Sequence, residues 1–226
     1  MVADKDARMG IGALLTNGSR YRHPRSGRHL AAFDFQLESD LRSVSGHDGH
    51  LHVHVADLLA QYRSTHQRVL VFLDQQFGGE LPATEIHADI CSRLTADGWS
   101  RDRFEPIVFD PEIEIWMWQD RDNATFDSLI GFSQRPTDAR RYHSVRDWLR
   151  HQPVASPLWP EGQAKPPDPK YALEWTMRRC HTPLSSTTFT KAAEILGDKG
   201  CTDASYQSFN AAMDRWFGSS SGWVAP

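Results

Sequence analysis

The sequence predicts an α/β fold with a mainly parallel sheet flanked by helices, followed by a helical C-terminal section. Residues 69–73 and 106–109 are short apolar runs of the kind found in buried strands, and a four-residue hydrophobic repeat covers residues 86–94 between them. Strand, helix and strand at this spacing form a βαβ unit, whose crossover is right-handed. Beyond residue 169 the apolar residues recur with helical spacing only.

The amino-acid composition excludes several classes of protein. The chain has 226 residues, 39% of them hydrophobic, and a net charge of −4, which allows a sizeable core and gives no overall basic character for nucleic-acid binding. Cys91, Cys180 and Cys201 lie far apart without a CxxC pair, which argues against a disulfide framework or a zinc site. No apolar run is long enough to span a membrane. We therefore expect a soluble, cytoplasmic protein without a membrane partner.

Changes in composition along the chain suggest five segments. Six of the 13 prolines fall between residues 152 and 169, which indicates an extended linker. The predicted organisation is a polar basic arm (1–28), an α/β core (29–151), a Pro-rich linker (152–169), a helical C-terminal section (170–217) and a loose tail (218–226).

Basic residues cluster in the arm at Arg20, Arg22, Arg25 and Arg28. The favoured interpretation is a mobile polar arm. The alternative is an arm that contacts the phosphates of a nucleic acid, which would make these four arginines binding residues.

Three histidines, His50, His52 and His54, alternate along the chain. On a strand they would share one face, where neutral imidazoles can bind a metal ion. Parallel side chains on a single strand converge poorly on one ion, however. We therefore favour a solvated or partner-facing strand over a metal site.

Acidic residues follow both predicted strands. Asp74 comes directly after the first strand, and Glu112 and Glu114 come shortly after the second. Ligands of such sheets lie beyond the carboxyl ends of the strands, and neighbouring carboxylates there suit Mg²⁺ or Mn²⁺. The alternative, favoured by spacing alone, is that Asp74 caps a turn and the glutamates occupy the first turn of a helix.

Short motifs around these acids resemble a known family. VLVFLDQQFGG at residues 69–79 and PEIEIWMW at 111–118 are similar to the Toprim-like proteins of prokaryotic defence systems, specifically the small EIEAW-type families and, more distantly, RloB-like nucleases. The later stretches KPPDPKYALEW and CTDASYQSFNAAMDRWF resemble the C-terminal part of that group, which includes small components of the methylation-associated defence system. The resemblance covers roughly residues 65–217.

The resemblance assigns roles to particular residues. It implies metal ligands at Asp74, Gln76 and Glu112, and catalytic carboxylates at Glu112 or Glu114, with Mg²⁺ or Mn²⁺ as the cofactor if the site is active. The chain departs from the family because Gln76 replaces the second aspartate. The family's N-terminal glutamate, its general acid/base, has no clear counterpart here.

The incomplete acidic set favours a degenerate, non-cleaving Toprim-like domain. The resemblance thus implies a component of an antiphage defence system that binds another protein of that system and, as a further expectation, nucleic acid. The alternative is a Mg²⁺- or Mn²⁺-dependent Toprim-like nuclease that hydrolyses phosphodiesters. A third hypothesis is a nucleic-acid-binding module that uses the four arginines of the arm.

Overall fold

The computed structural model describes residues 1–3, 5–16, 33–45, 47–78, 81–118, 123–152, 158–199 and 201–218. The strands in these ranges are β1 (Val69–Asp74) and β2 (Phe104–Phe109). The helices are α1 (Lys5–Thr16), α2 (Leu37–Asp40), α3 (Asp48–Ala60), α4 (Ala83–Ala96), α5 (Asn123–Leu129), α6 (Val145–Arg150), α7 (Pro169–Arg179), α8 (Ser186–Lys199) and α9 (Ala204–Phe217). No helix among them is long and apolar enough to cross a membrane.

The two strands form a short parallel sheet, as predicted from the βαβ pattern. Their register runs from Val69 opposite Phe104 to Asp74 opposite Phe109. Between them lies α4, which ends near Gly98, a residue with a φ of +90°. A side chain is strained in this left-handed conformation, which explains why a glycine ends the helix. The coarse α/β prediction is therefore confirmed, whereas a Toprim-like fold is a finer statement than this sheet supports.

Both faces of the sheet are covered, which explains why the strand residues are mostly apolar, with Glu105 of β2 and Asp74 at the end of β1 as the charged exceptions. Val71 and Leu73 pack with α3 and α4 in one hydrophobic cluster, which also contains the predicted α4 residues Ile86, Ile90 and Leu94. Phe72, Ile107 and Phe109 point into a second, larger cluster formed with α1 and the C-terminal helices.

The helical C-terminal section is present and contributes to the larger cluster. Helix α9 buries Tyr206, Phe209 and Met213 on the face predicted from their spacing. Asp203 caps the start of this helix, since its side chain accepts a hydrogen bond from the Ser205 amide at 3.0 Å. Helix α9 packs on β2 and so holds this section against the sheet.

The first part of the predicted arm is folded into the core instead. Val2 forms a parallel bridge with Phe72 of β1, and α1 packs against α8 with Ile11 buried. The reason is a hydrophobic stripe on α1 that the polar character of the whole segment concealed. Arg20, Arg22, Arg25 and Arg28 lie outside the described residues.

The described part of the predicted linker also differs from an extended spacer. Leu158 and Trp159 are buried, and the Trp159 ring lies 5.3 Å from that of Trp118. Prolines limit regular structure here, yet the two large apolar side chains gain enough from burial to anchor the segment. Residues 153–157, and 219–226 of the predicted tail, lie outside the described residues.

The three alternating histidines lie on α3, so the predicted strand is wrong. Leu51, Val55 and Leu59 form a buried stripe with helical spacing, and this stripe sets the local structure. The His50 and His54 rings lie 4.6 Å apart on the helix, whereas His52 faces Asp89 of α4 at 2.9 Å.

Candidate functional site

The ends of β1 and β2 bring the predicted acidic residues together. Asp74 Oδ1 accepts a hydrogen bond from the Ile113 amide at 3.0 Å, which fixes the segment after β2 against the end of β1. The amides of Gln75 and Gln76 donate to the Pro111 carbonyl at 2.9 and 3.3 Å. These backbone contacts join the two strand ends and place Glu112 and Glu114 beside Asp74.

Glu112 and Glu114 are buried carboxylates. Glu112 is 8% exposed and Glu114 is 4% exposed. Glu112 directly precedes a 3₁₀ turn, Ile113–Trp116, and Glu114 lies within it; this turn takes the place of the predicted helix. The turn is buried because its aliphatic and aromatic side chains enter the larger cluster, and the two glutamates are carried inward with them. Buried carboxylates require hydrogen bonds or a counter-charge.

Lys170 supplies that counter-charge. Its Nζ lies 3.2 Å from Glu112 Oε1, and it belongs to the first turn of α7. Burial alone would lower the pKa of Lys170, but Glu114, Glu112 and Asp74 raise it above its usual value. The lysine is therefore a cation at neutral pH, and its ammonium interacts with all three predicted acids.

The start of α7 is held beside the acidic turn by an aromatic residue. The Trp118 indole donates a hydrogen bond to the Pro169 carbonyl at 3.0 Å. Asp48, the first residue of α3, is a fourth acid at the border of the site. Its Oδ1 atom accepts a hydrogen bond from the Asp74 amide at 2.8 Å.

Sequence reasoning did not find Lys170 and Asp48. Lys170 lies 58 residues from Glu112 along the chain, and Asp48 lies 26 residues from Asp74. The only signal for Lys170 is its place in the KPPDPKYALEW stretch, which the family resemblance includes without giving the lysine a role.

The arrangement differs from a divalent-cation site. Among the described residues there is no group of three or more His, Cys, Asp or Glu side chains that could hold a metal ion. Gln76, the predicted third ligand, is exposed and contacts Pro111 through its backbone amide. At the strand ends, the ammonium of Lys170 interacts with the carboxylates of Asp74, Glu112 and Glu114.

A second carboxylate site lies on β2. Glu105 accepts hydrogen bonds from His87 of α4 at 2.9 Å, from Arg101 at 3.2 Å and from Arg215 of α9 at 2.8 Å. Burial would raise the pKa of Glu105, but these three donors outweigh it and lower the pKa to about 2. Contacts with Cys91 and with Glu105 raise the pKa of His87 to about 9.

A cleft of about 440 Å³ lies away from both sites, around the beginning of β1, and is lined in part by Tyr62, Arg68 and Trp216. None of the acids at the strand ends borders it.

Comparison with known proteins gives no further guidance on this site, because the chain matches no protein-family model, no curated protein and no solved structure.

Proposed function

We propose that this chain is a non-catalytic, Toprim-like component of a bacterial antiphage defence system that acts by binding a partner protein. One observation supports the absence of catalysis most directly. The ammonium of Lys170 lies 3.2 Å from Glu112 and interacts electrostatically with Asp74 and Glu114. In a metal-dependent nuclease, a divalent cation would interact with such carboxylates. In this chain, the ammonium of Lys170 interacts with them instead.

Two departures from the family motif support the same conclusion. Gln76 is neutral where the motif has an aspartate, and removing a carboxylate weakens a Mg²⁺ site that depends on ligand charge. The proton-transfer glutamate has no counterpart, and a general acid/base contributes roughly 10²–10⁴-fold in rate. A hydrolase lacking both features would be severely impaired.

The surface beside the acidic site is suited to protein contact. Tyr171 follows Lys170 on α7 and is 51% exposed. Tyrosine is enriched in protein interfaces, because it buries a large area at a small cost in side-chain entropy. We therefore place the partner-binding surface on the exposed side of α7.

Calorimetric titration with Mn²⁺ and Mg²⁺ tests the proposed absence of catalysis. We expect no saturable binding to the wild-type chain. Asp74→Ala is the matched variant, since it removes a carboxylate without removing Lys170. Saturable Mn²⁺ binding that is lost in Asp74→Ala, together with Mn²⁺-dependent cleavage of DNA or RNA, would contradict the proposal and establish the nuclease alternative.

Copurification tests the partner. The tagged chain, expressed together with the neighbouring genes of its native operon, is expected to retain at least one of their products. Tyr171→Glu should reduce that retention, whereas Tyr142→Phe, at a buried position away from α7, should not.

A phage infection assay tests the defence role. Deleting the gene from the operon should abolish protection, and Asp74→Ala should leave it intact. Equal protection with and without the gene would overturn the proposal.

A further inference from the structure

Lys165 and Cys201 make an unusually close contact. Lys165 Nζ lies 2.7 Å from Cys201 Sγ. This separation is at the short end of hydrogen bonds between nitrogen and oxygen, and bonds to the larger sulfur atom are longer still. Two other nitrogen–sulfur contacts in the same chain have ordinary lengths: 3.4 Å from the Asp203 amide to Cys201 Sγ, and 3.8 Å from His87 Nδ1 to Cys91 Sγ.

An ion pair does not account for this approach. Cys201 is buried, and burial raises the pKa of its thiol even though Lys165 acts in the opposite direction. The thiol is therefore uncharged at neutral pH and attracts an ammonium only weakly. The separation does suit one bridging atom, because atoms joined through two single bonds lie about 2.4–2.8 Å apart.

The surrounding contacts hold the two groups in place. Lys165 Nζ also donates a hydrogen bond to the Ile115 carbonyl at 2.9 Å, which orients the amine in the buried space beside the acidic turn. Cys201 immediately precedes the capped start of α9, where Gln207 donates to its carbonyl. Both partners are thus anchored independently of the contact between them.

We propose that Lys165 and Cys201 form a covalent nitrogen–oxygen–sulfur bridge when the protein meets hydrogen peroxide. One equivalent of peroxide converts the thiol to a sulfenic acid and releases water. A second converts the amine to a hydroxylamine and releases water. The hydroxylamine oxygen then attacks the sulfenic sulfur, the S–OH bond breaks, and a third water leaves. A thiol reductant opens the bridge by attacking the bridged sulfur: the S–O bond breaks, Lys165 leaves as the hydroxylamine, and a second thiol equivalent displaces the mixed disulfide and restores the Cys201 thiol.

The bridge would connect distant parts of the chain. It joins the segment before α7 to the start of α9 across 36 residues and leaves Lys165 against Ile115 in the acidic turn. A crosslink of this kind restricts the unfolded chain, so the oxidised protein should melt at a higher temperature than the reduced protein. This inference does not depend on the proposed defence function.

Intact-mass measurement of the full chain, before and after hydrogen peroxide, tests the bridge. The expected product is about 14 Da heavier, with one oxygen gained and two hydrogens lost, and dithiothreitol converts it to a species about 16 Da heavier than the starting chain, with the Cys201 thiol restored and a hydroxylamine at Lys165. Proteolysis should yield a peptide in which Lys165 is linked to Cys201. Lys165→Arg and Cys201→Ser should each abolish the linked peptide and the rise in melting temperature. Cys180→Ser, which removes another buried thiol, should preserve both.

Three results would overturn the proposal. The first is oxidation of Cys201 to sulfenic, sulfinic or sulfonic acid without a linked peptide. The second is a reductant-sensitive product about 2 Da lighter, which would be a direct nitrogen–sulfur bond without oxygen. The third is persistence of the 14 Da product in Lys165→Arg. Peptide mapping of the wild-type chain alone decides between the bridge and the first two results, even if a variant fails to fold.

Discussion

Two carboxylate sites flank the sheet and are built in opposite ways. At the strand ends, the ammonium of Lys170 interacts with Asp74, Glu112 and Glu114. On β2, the carboxylate of Glu105 interacts with three cations, His87, Arg101 and Arg215. The first site places three acids around one lysine, and the second places three cations around one acid.

The difference shows what each site can do. The hydrogen bonds to Glu105 come from α4, from the turn before β2 and from α9, so this carboxylate ties three elements to the strand. At the strand ends the arrangement is reversed, because one lysine from α7 interacts with three acids. Glu105 therefore joins three elements to one strand, whereas Lys170 joins α7 to the ends of both strands.

Glu105→Gln should have the largest effect, because it removes the only negative charge among three cations. An amide cannot accept hydrogen bonds from all three donors, and the cations would then repel one another. We expect a loss of about 2–4 kcal/mol in the free energy of unfolding, below the value for a fully buried pair because the cations are partly exposed. Urea denaturation measures it.

Glu85→Gln is the matched control for this substitution. Glu85 lies on α4 and is exposed, so its replacement should change stability by less than about 0.5 kcal/mol. Equal stability of the two variants would show that Glu105 does not hold α4, β2 and α9 together.

Lys170→Met should have the second-largest effect. It keeps most of the side-chain length but leaves Asp74, Glu112 and Glu114 without their shared cation. The expected loss is about 1–2 kcal/mol, because the lysine is about half exposed and solvent screens part of the interaction. Lys191→Met, at an exposed position on α8, should be close to neutral. Mn²⁺ binding by the variant is measured as well, because a bound ion could replace the lysine. If Lys170→Met is as stable as the wild type without binding Mn²⁺, the acids need no counter-charge.

These two sites also show which structural features could be predicted from the sequence. The βαβ unit was predictable because strand burial and the helical repeat of Ile86, Ile90 and Leu94 are local patterns. Parallel strands end at one edge, so the proximity of Asp74 and Glu112 followed from the fold class. Lys170 was not predictable, because its position depends on how α7 docks against Trp118.

Where sequence reasoning failed, a nonlocal or competing pattern decided the structure. The alternation of His50, His52 and His54 suggested a strand, but burial of Leu51, Val55 and Leu59 gains more free energy in a helix. The polar composition of residues 1–28 concealed the pairing of Val2 with Phe72, since no local pattern reports which strand a terminal residue joins.

His87→Gln should have a smaller effect that depends on pH. Contacts with Cys91 and Glu105 raise the folded-state pKa of His87 from 6.5 to about 9, so its contribution is fully present below pH 6.5 and is lost as the pH rises through about 9. Because the side chain is about one-third exposed, we expect the pH-dependent difference between variant and wild type to be about 1 kcal/mol. Urea denaturation from pH 6 to pH 10 measures it, with His143→Gln at an exposed position as the control. A difference that does not change with pH would contradict the assignment.

Asp74→Asn should have the smallest effect, although it is the same acid-to-amide change as Glu105→Gln. The amide oxygen can still accept the hydrogen bond from the Ile113 amide. Removing one negative charge weakens the attraction to Lys170 but also relieves repulsion from Glu112 and Glu114, and the two changes oppose each other. We expect a change of less than about 1 kcal/mol in the free energy of unfolding. If Asp74→Asn destabilised the protein as much as Glu105→Gln, the negative charge of Asp74 would matter as much for folding as that of Glu105, and the opposing changes described above would not cancel.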